Sequence, residues 1–178
     1  VETMDQALSA LRRPNLTNLQ IIFNPFRLKP LDEVLPLAAE KNVAVFARVP
    51  LASGLLSGKY TRSTTFDEND HRTYNRNGEA FDKGETFSGV PFDEGVAAAD
   101  ELKASLPEGV TLPAATLAWI ASREGITSVI PGARSTDQAA ANARAADFLD
   151  GGFDVEAFDA LVRDVYDRRL RAEIHPQW

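Results

Sequence analysis

The chain of 178 residues contains no cysteine. Disulfides, thiolate metal sites and a cysteine nucleophile are therefore excluded. Histidine is nearly as scarce: His71 and His175 are too few and too far apart for a histidine metal cluster, and no metal-ligand set is read. Long hydrophobic runs are missing as well. Val43–Ala47 is typical of the apolar stretches, far short of the roughly 20 residues that cross a bilayer. There is no surplus of positive charge. The 26 acidic and 19 basic residues give a net charge of −7, which argues against nucleic acid or an anionic membrane as partner. No basic region followed by an apolar segment precedes a cleavage site, so no secretory signal is read. An initiating methionine is lacking too: the chain opens Val1-Glu2-Thr3, and the expectation is a processed or truncated polypeptide. Asn15-Leu16-Thr17 fits the glycosylation sequon but reads as an ordinary loop.

What is present is average for a globular chain: 44% apolar and 25% charged residues, at a one-domain length. Thr3 and Gln6 have capping-box spacing ahead of Met4, Ala7, Leu8 and Leu11, predicting a helix over 3–12. Leu19–Phe23 and Val43–Ala47 read as strands buried on both sides. A helix over 31–41 lies between them, with Pro36 placed awkwardly inside it. From Pro50 to Pro91 the periodicity disappears, and a loop of that length is usually functional or disordered. Helical spacing resumes after Asp93, a predicted N-cap, and again from Thr111 to Gly125 with Pro113 in the first turn. Ile126–Ile130 is a third short strand, Ser135–Phe148 a helix, and the last amphipathic helix starts at Asp154. Strands alternating with helices imply parallel pairing. Three strands alone would leave two apolar edges, so the pattern fits part of a larger α/β architecture.

Two segments carry chemistry. Pro50-Leu-Ala-Ser53-Gly54-Leu-Leu-Ser-Gly58-Lys59-Tyr60 follows the second strand. It fails as a phosphate-binding P-loop, because Gly54 and Gly58 enclose three residues and Tyr60 replaces the magnesium-binding hydroxyl. It is either a structural turn or a ligand loop at the carboxyl end of a parallel strand, where Ser53, the amides near Gly54 and Lys59 would meet a phosphate. The second segment is Ile130-Pro-Gly132-Ala-Arg134-Ser135-Thr-Asp-Gln138-Ala-Ala-Ala-Asn142. A capping box explains Ser135 and Gln138. It does not explain Arg134, since a cation at a helix N-terminus opposes the dipole unless an anion lies between them. Ser135, Gln138 and Asn142 share one helix face. Helix start and phosphate site both remain open on these grounds. Asp67, Glu68, Asp70 and His71 read as a solvated loop, and Arg168, Arg169 and Arg171 as the exposed side of the last helix. No paired acid and base is found.

Together these segments resemble the C-terminal half of an aldo-keto reductase, in order and over nearly the whole chain. The resemblance implies a (β/α)8 barrel in which residues 1–178 supply strands six to eight. It also implies NADPH as cofactor for reducing aldehydes or ketones. Gln20 then matches the glutamine on the nicotinamide carboxamide. Pro50, Leu51, Ser53, Gly54, Leu56 and Lys59 match the loop over the pyrophosphate. Gly132, Arg134, Ser135, Gln138 and Asn142 match the segment for the adenosine 2′-phosphate and adenine. Arg48 stands where the family stacks an aromatic residue on the nicotinamide. A guanidinium also stacks on a ring, but its charge repels the oxidised, cationic form. Ala141 stands where many members carry a glutamate that touches the adenine. The family's catalytic Asp, Tyr, Lys and His precede the matched region, so no residue here is assigned a catalytic role. The expectation is the C-terminal portion of a cytoplasmic NADPH-dependent reductase of small carbonyl substrates, inactive alone. Loop 61–91 would shape its entrance, and the missing half of the barrel or a second copy would be its partner. The other reading is a regulatory module that binds NADPH without catalysis.

Overall fold

The computed structural model describes residues 1–151 and 153–178. Helix α1 (Met4–Leu11) starts as its spacing predicts: Thr3 Oγ1 accepts from the Gln6 amide, and the Gln6 side chain takes the Thr3 amide in return. Ala7 and Leu11 are buried, with Met4 and Leu8 packed beside them. Strand β1 (Asn18–Ile22) pairs in parallel with β2 (Ala44–Arg48), so that Gln20 faces Phe46 and Ile22 faces Arg48. Strand β3 (Ser128–Val129) pairs in parallel with the other side of β2, giving the order β1-β2-β3. Its ladder reaches further than its two residues, because the Thr127 amide donates to Val45 and the Ile130 amide to Ala47.

The strands are not covered on both sides. Leu19, Ile21, Val45 and Ala47 alternate onto a buried face, whereas on the other Gln20 is exposed, Phe46 and Arg48 are half-buried and Ile22 is buried. Period-2 alternation puts Gln20, Phe46 and Arg48 on one face, and among the described residues no helix closes it as the first face is closed.

The helix predicted over 31–41 is two pieces, a 3-10 turn Lys29–Leu31 and α2 (Val34–Glu40). Pro36 is the third residue of α2, where a missing N–H costs no intrahelical bond. The stretch 61–91 holds α3 (His71–Tyr74) and two 3-10 turns, Lys83–Glu85 and Phe87–Gly89. It is ordered from within. Buried Asn75 accepts from the Ala80 and Phe81 amides and donates to Thr86, while Phe66, Phe87 and Phe92 meet at 5.1–5.8 Å between ring centroids. Helix α4 (Phe92–Ala104) has Pro91 at its N-cap position, two residues before the predicted Asp93, which instead complements the dipole from the first turn. Helix α5 (Leu112–Ala121) has Thr111 as its cap. Helix α6 (Thr136–Arg144) ends four residues before Phe148 and tightens into a 3-10 turn. Helix α7 (Val155–Arg169) starts from Asp154 as predicted, and a short α8 (Arg171–Ile174) follows. No helix among the described residues is long and apolar enough to cross a membrane.

Helix α5 is buried on every side, and its Trp119 stacks on Phe23 with ring centroids 5.3 Å apart. The indole Nε1 donates to Asp159 Oδ1 on α7 at 2.8 Å. Asp159 also receives Arg123 at 3.0 Å and Arg163 at 2.7 Å. Burial alone would raise the Asp159 pKa, but these donors, led by Arg163, hold it below the ordinary value. A carboxylate depressed in the folded state adds stability above its unfolded pKa, and that stability is lost as pH falls through the folded value. Asp159→Asn is therefore expected to cost about 1–3 kcal/mol at neutral pH. The deficit should shrink as the pH drops below the carboxylate range. Urea melts of both proteins at neutral and acid pH check this; a pH-independent deficit would contradict it.

Candidate functional site

Parallel pairing sends the chain out of β2 and β3 at the same end of the sheet. Segment 49–60 leaves β2 there and segment 130–142 leaves β3, so the two segments singled out in the sequence are neighbours at one end of the sheet.

The exit from β2 is strained. Val49, Ala52 and Ser53 have φ of 51°, 47° and 53°, a left-handed conformation that side chains with a Cβ disfavour and a β-branched residue most of all. Three contacts from elsewhere hold it. Asn24, fully buried just past β1, donates to the Val49 carbonyl at 2.9 Å and to Ser88 Oγ at 2.7 Å. Ser53 Oγ donates to the Glu85 carbonyl at 3.1 Å and accepts from the Phe87 amide at 3.0 Å. The Tyr60 hydroxyl closes on Ser53 O at 3.4 Å. Gly54, at φ 96°, is required: a Cβ there would lie 2.3 Å from the Tyr60 hydroxyl oxygen. Ser53 thus orders the loop with its only proton, and what it keeps for a ligand is a lone pair. Pro50 and Leu56 are buried, Leu51 and Gly54 are half-buried, and Lys59 is exposed.

At the β3 exit the face expected to line a ligand folds back on its own loop. Ser135 Oγ accepts from the Gln138 amide at 3.2 Å. Gln138 Oε1 accepts from the Arg134 amide at 2.7 Å, one residue beyond a capping box, and Asn142 Nδ2 donates to Gly132 O at 3.2 Å. These bonds shape residues 132–135 and leave the Arg134 guanidinium exposed, outside the ion pairs among the described residues. Gly132 has nothing within 4 Å of where a Cβ would stand. An open loop, the first-turn amides of α6 and an unpaired guanidinium form a donor set for an anion. Asp137 in the same turn is the one opposing charge.

Gln20 and Arg48 share the open face of the sheet on adjacent strands. Arg48 is held by two carboxylates: Nη1 forms a close ion pair with Glu85, and Nη2 meets Glu2 Oε1 at 3.0 Å. Nearby, Arg27 is 2% exposed. It donates to the Glu2 carbonyl at 2.6 Å, and its guanidinium carbon lies 4.3 Å from the Trp178 ring centroid. Burial lowers its pKa to about 10, against the opposing pull of Asp82 and Glu2. Arg27 Nη1 and Glu2 Oε2 are both buried without a partner. Asn24, Arg27, Glu85, Ser88 and Trp178 were not anticipated from the sequence.

Other sequence candidates are structural. Asp70 caps α3 and binds Arg72, whose hydrogen bond holds its carboxyl far below the usual range. Arg168, Arg169 and Arg171 lie along the outer side of α7 and α8, paired with Glu101, Asp164 and Asp167. No group of three His, Asp or Glu among the described residues is placed to hold a metal. A cleft of about 580 Å³ beside α2 is lined by Leu35, Pro36, Arg123 and Arg163, away from the strand exits.

The sequence profile described as the aldo/keto reductase family matches residues 1–162. A probable voltage-gated potassium channel subunit beta from Arabidopsis thaliana is 32% identical over 133 residues, 71% of this chain and 37% of that protein. Among solved structures, a glycerol dehydrogenase from Gluconobacter oxydans superposes with a TM-score of 0.66 at 25% identity, covering 90% of this chain and 45% of that one. The holo form of an aldo-keto reductase from Bacillus halodurans gives 0.63 at 20% identity, covering 92% and 48%. The chain spans less than half the length of each of these relatives.

Proposed function

The chain belongs to the aldo/keto reductase family, and on that premise we propose that it is the cofactor-holding, C-terminal part of an oxidoreductase that reduces aldehydes or ketones with NADPH. In this reading β1, β2 and β3 are strands six, seven and eight of a (β/α)8 barrel. The observation that carries it is the meeting of two strand exits at one end of the sheet, with the unpaired Arg134 beside the capped start of α6. The 2′-phosphate of the cofactor lies against Arg134 and the first-turn amides of α6. Lys59 and the free amides of the strained β2 exit face the pyrophosphate. Gln138, Asn142 and Ser135 act at one remove, by fixing the loop that carries Arg134 and Gly132. Gln20 binds the carboxamide, with Arg48 beside the nicotinamide. When bound, the cofactor supplies the hydride; this chain's residues bind and orient it.

No residue of the chain is given a proton-transfer role, because the family's Asp, Tyr, Lys and His precede the matched region. The open edges of β1 and β3 are covered by the rest of the barrel or by a second copy. Loop 61–91, anchored to the β2 exit through Glu85 and Phe87 on Ser53, shapes the entrance, and the protein works in the cytoplasm on a small carbonyl substrate. The purified chain of 178 residues is therefore expected to bind NADPH and to reduce no aldehyde above a blank. NADPH oxidation that tracks enzyme and aldehyde concentration would place proton-transfer groups within these residues and overturn that division of labour.

A further inference from the structure

The guanidinium on the open face of the sheet is not alone, and its neighbours offset what it would do by itself. Arg48 lies two residue pairs further along the sheet than Gln20, on the same face. A lone guanidinium there would repel an oxidised nicotinamide, which carries a positive charge, and leave the neutral reduced ring untouched. Both Nη nitrogens of Arg48, however, are taken by carboxylates, those of Glu85 and Glu2. Arg27 and Asp82 lie beside this cluster, and the Val1 amino group donates to Gln20 O at 3.0 Å. The two carboxylates on Arg48 offset the charge that its guanidinium alone would present to the open face.

We infer that Glu85, held against Arg48, lets the site accept the oxidised cofactor that an unpaired guanidinium would repel, and so sets the balance between oxidised and reduced forms. This rests on the reading that the nicotinamide lies beside Gln20 and Arg48. Glu85 is a positioned charge and not a swinging one. It ends the 3-10 turn Lys83–Glu85, and its carbonyl takes the Ser53 hydroxyl at 3.1 Å. Its side chain therefore meets Arg48 from a backbone already tied to the β2 exit. A fixed field of this kind discriminates between two ligands that differ by one charge, because the protein need not reorganise to supply it.

The experiment compares dissociation constants for NADP⁺ and NADPH, by calorimetric titration of the protein as its gene encodes it. The unaltered protein, Glu85→Gln and Arg48→Met are measured. Glu85→Gln removes one negative charge and should shift the NADP⁺:NADPH affinity ratio toward NADPH by about three- to tenfold, a Coulomb effect screened by partial exposure and salt. Arg48→Met removes the cation and should shift the ratio the opposite way. Opposite signs are what a merely structural role cannot produce, since a loosened loop weakens both forms alike. Should Glu85→Gln fail to fold, Glu2→Gln carries the same expectation. If the unaltered protein binds neither form, the cofactor reading fails and takes this inference with it. If both forms bind and the ratio is the same in all variants, or moves the same way in both, this inference alone is overturned.

Discussion

Asn24→Ala is expected to lower the stability of the protein by about 2–4 kcal/mol and to weaken NADPH and NADH binding together. The side chain is fully buried, and its Nδ2 reaches segments 25 and 64 positions away. Nδ2 serves Val49 O and Ser88 Oγ, and Oδ1 accepts from the Phe26 amide at 2.9 Å. Alanine would leave a carbonyl, a hydroxyl and an amide without that partner in a region closed to solvent. It would also release the residue whose backbone is most strained, Val49 at φ 51°. Relaxation of Val49 toward an extended conformation would redirect the β2 exit and disperse the amides that face the pyrophosphate. Because the pyrophosphate is common to both cofactors, the two affinities should fall by a similar factor. Chemical denaturation and paired titrations check this. A loss within about 0.5 kcal/mol, the range of ordinary surface substitutions, would mean that Asn24 does not hold the site.

Arg134→Ala should do the reverse, leaving stability unchanged and separating the cofactors. The side chain is exposed and enters no ion pair among the described residues, so nothing in the fold depends on it. The loop around it is held by Gln138 on its amide and by Asn142 on Gly132 O, and neither bond involves the guanidinium. A phosphate deprived of that guanidinium keeps the helix amides and loses a charge-assisted contact worth about 1.5–3 kcal/mol. At about 1.4 kcal/mol per tenfold, NADPH binding should weaken by roughly ten- to a hundredfold. NADH carries no phosphate there. Lys59→Ala, at the position proposed to face the pyrophosphate, should weaken both cofactors equally.

The parts of this structure that were legible in the sequence are those in which a residue answers to a near neighbour. Thr3, Thr111, Ser135 and Asp154 each cap a helix through an amide three residues on, and each was readable from spacing alone. The alternation of strands and helices likewise gave the parallel sheet, since crossovers of that length leave little choice. What the sequence concealed are the partners brought together from afar. Asn24 meets Ser88 across 64 positions, and Trp178 meets Asp82 across 96. No period or motif encodes such a pairing. Gln138 and Asn142 mark the boundary between the two cases. Helical spacing placed them correctly on one face, yet whether that face met a ligand or its own loop depended on the path of residues 131–134, which no periodicity describes. Arg48 was conspicuous as a charge in an apolar strand; Glu2 and Glu85, which change its meaning, were not.

The central claim is that the starts of these two loops hold a nicotinamide dinucleotide by its 2′-phosphate. The most direct measurement is the pair of dissociation constants, NADPH and NADH, for the unaltered protein and for Arg134→Ala. The account predicts that the unaltered protein binds NADPH more tightly and that Arg134→Ala removes most of this advantage by raising the NADPH constant alone. If the two constants rise by the same factor, or neither moves, the 2′-phosphate does not lie at Arg134 and the assignment of this site is wrong.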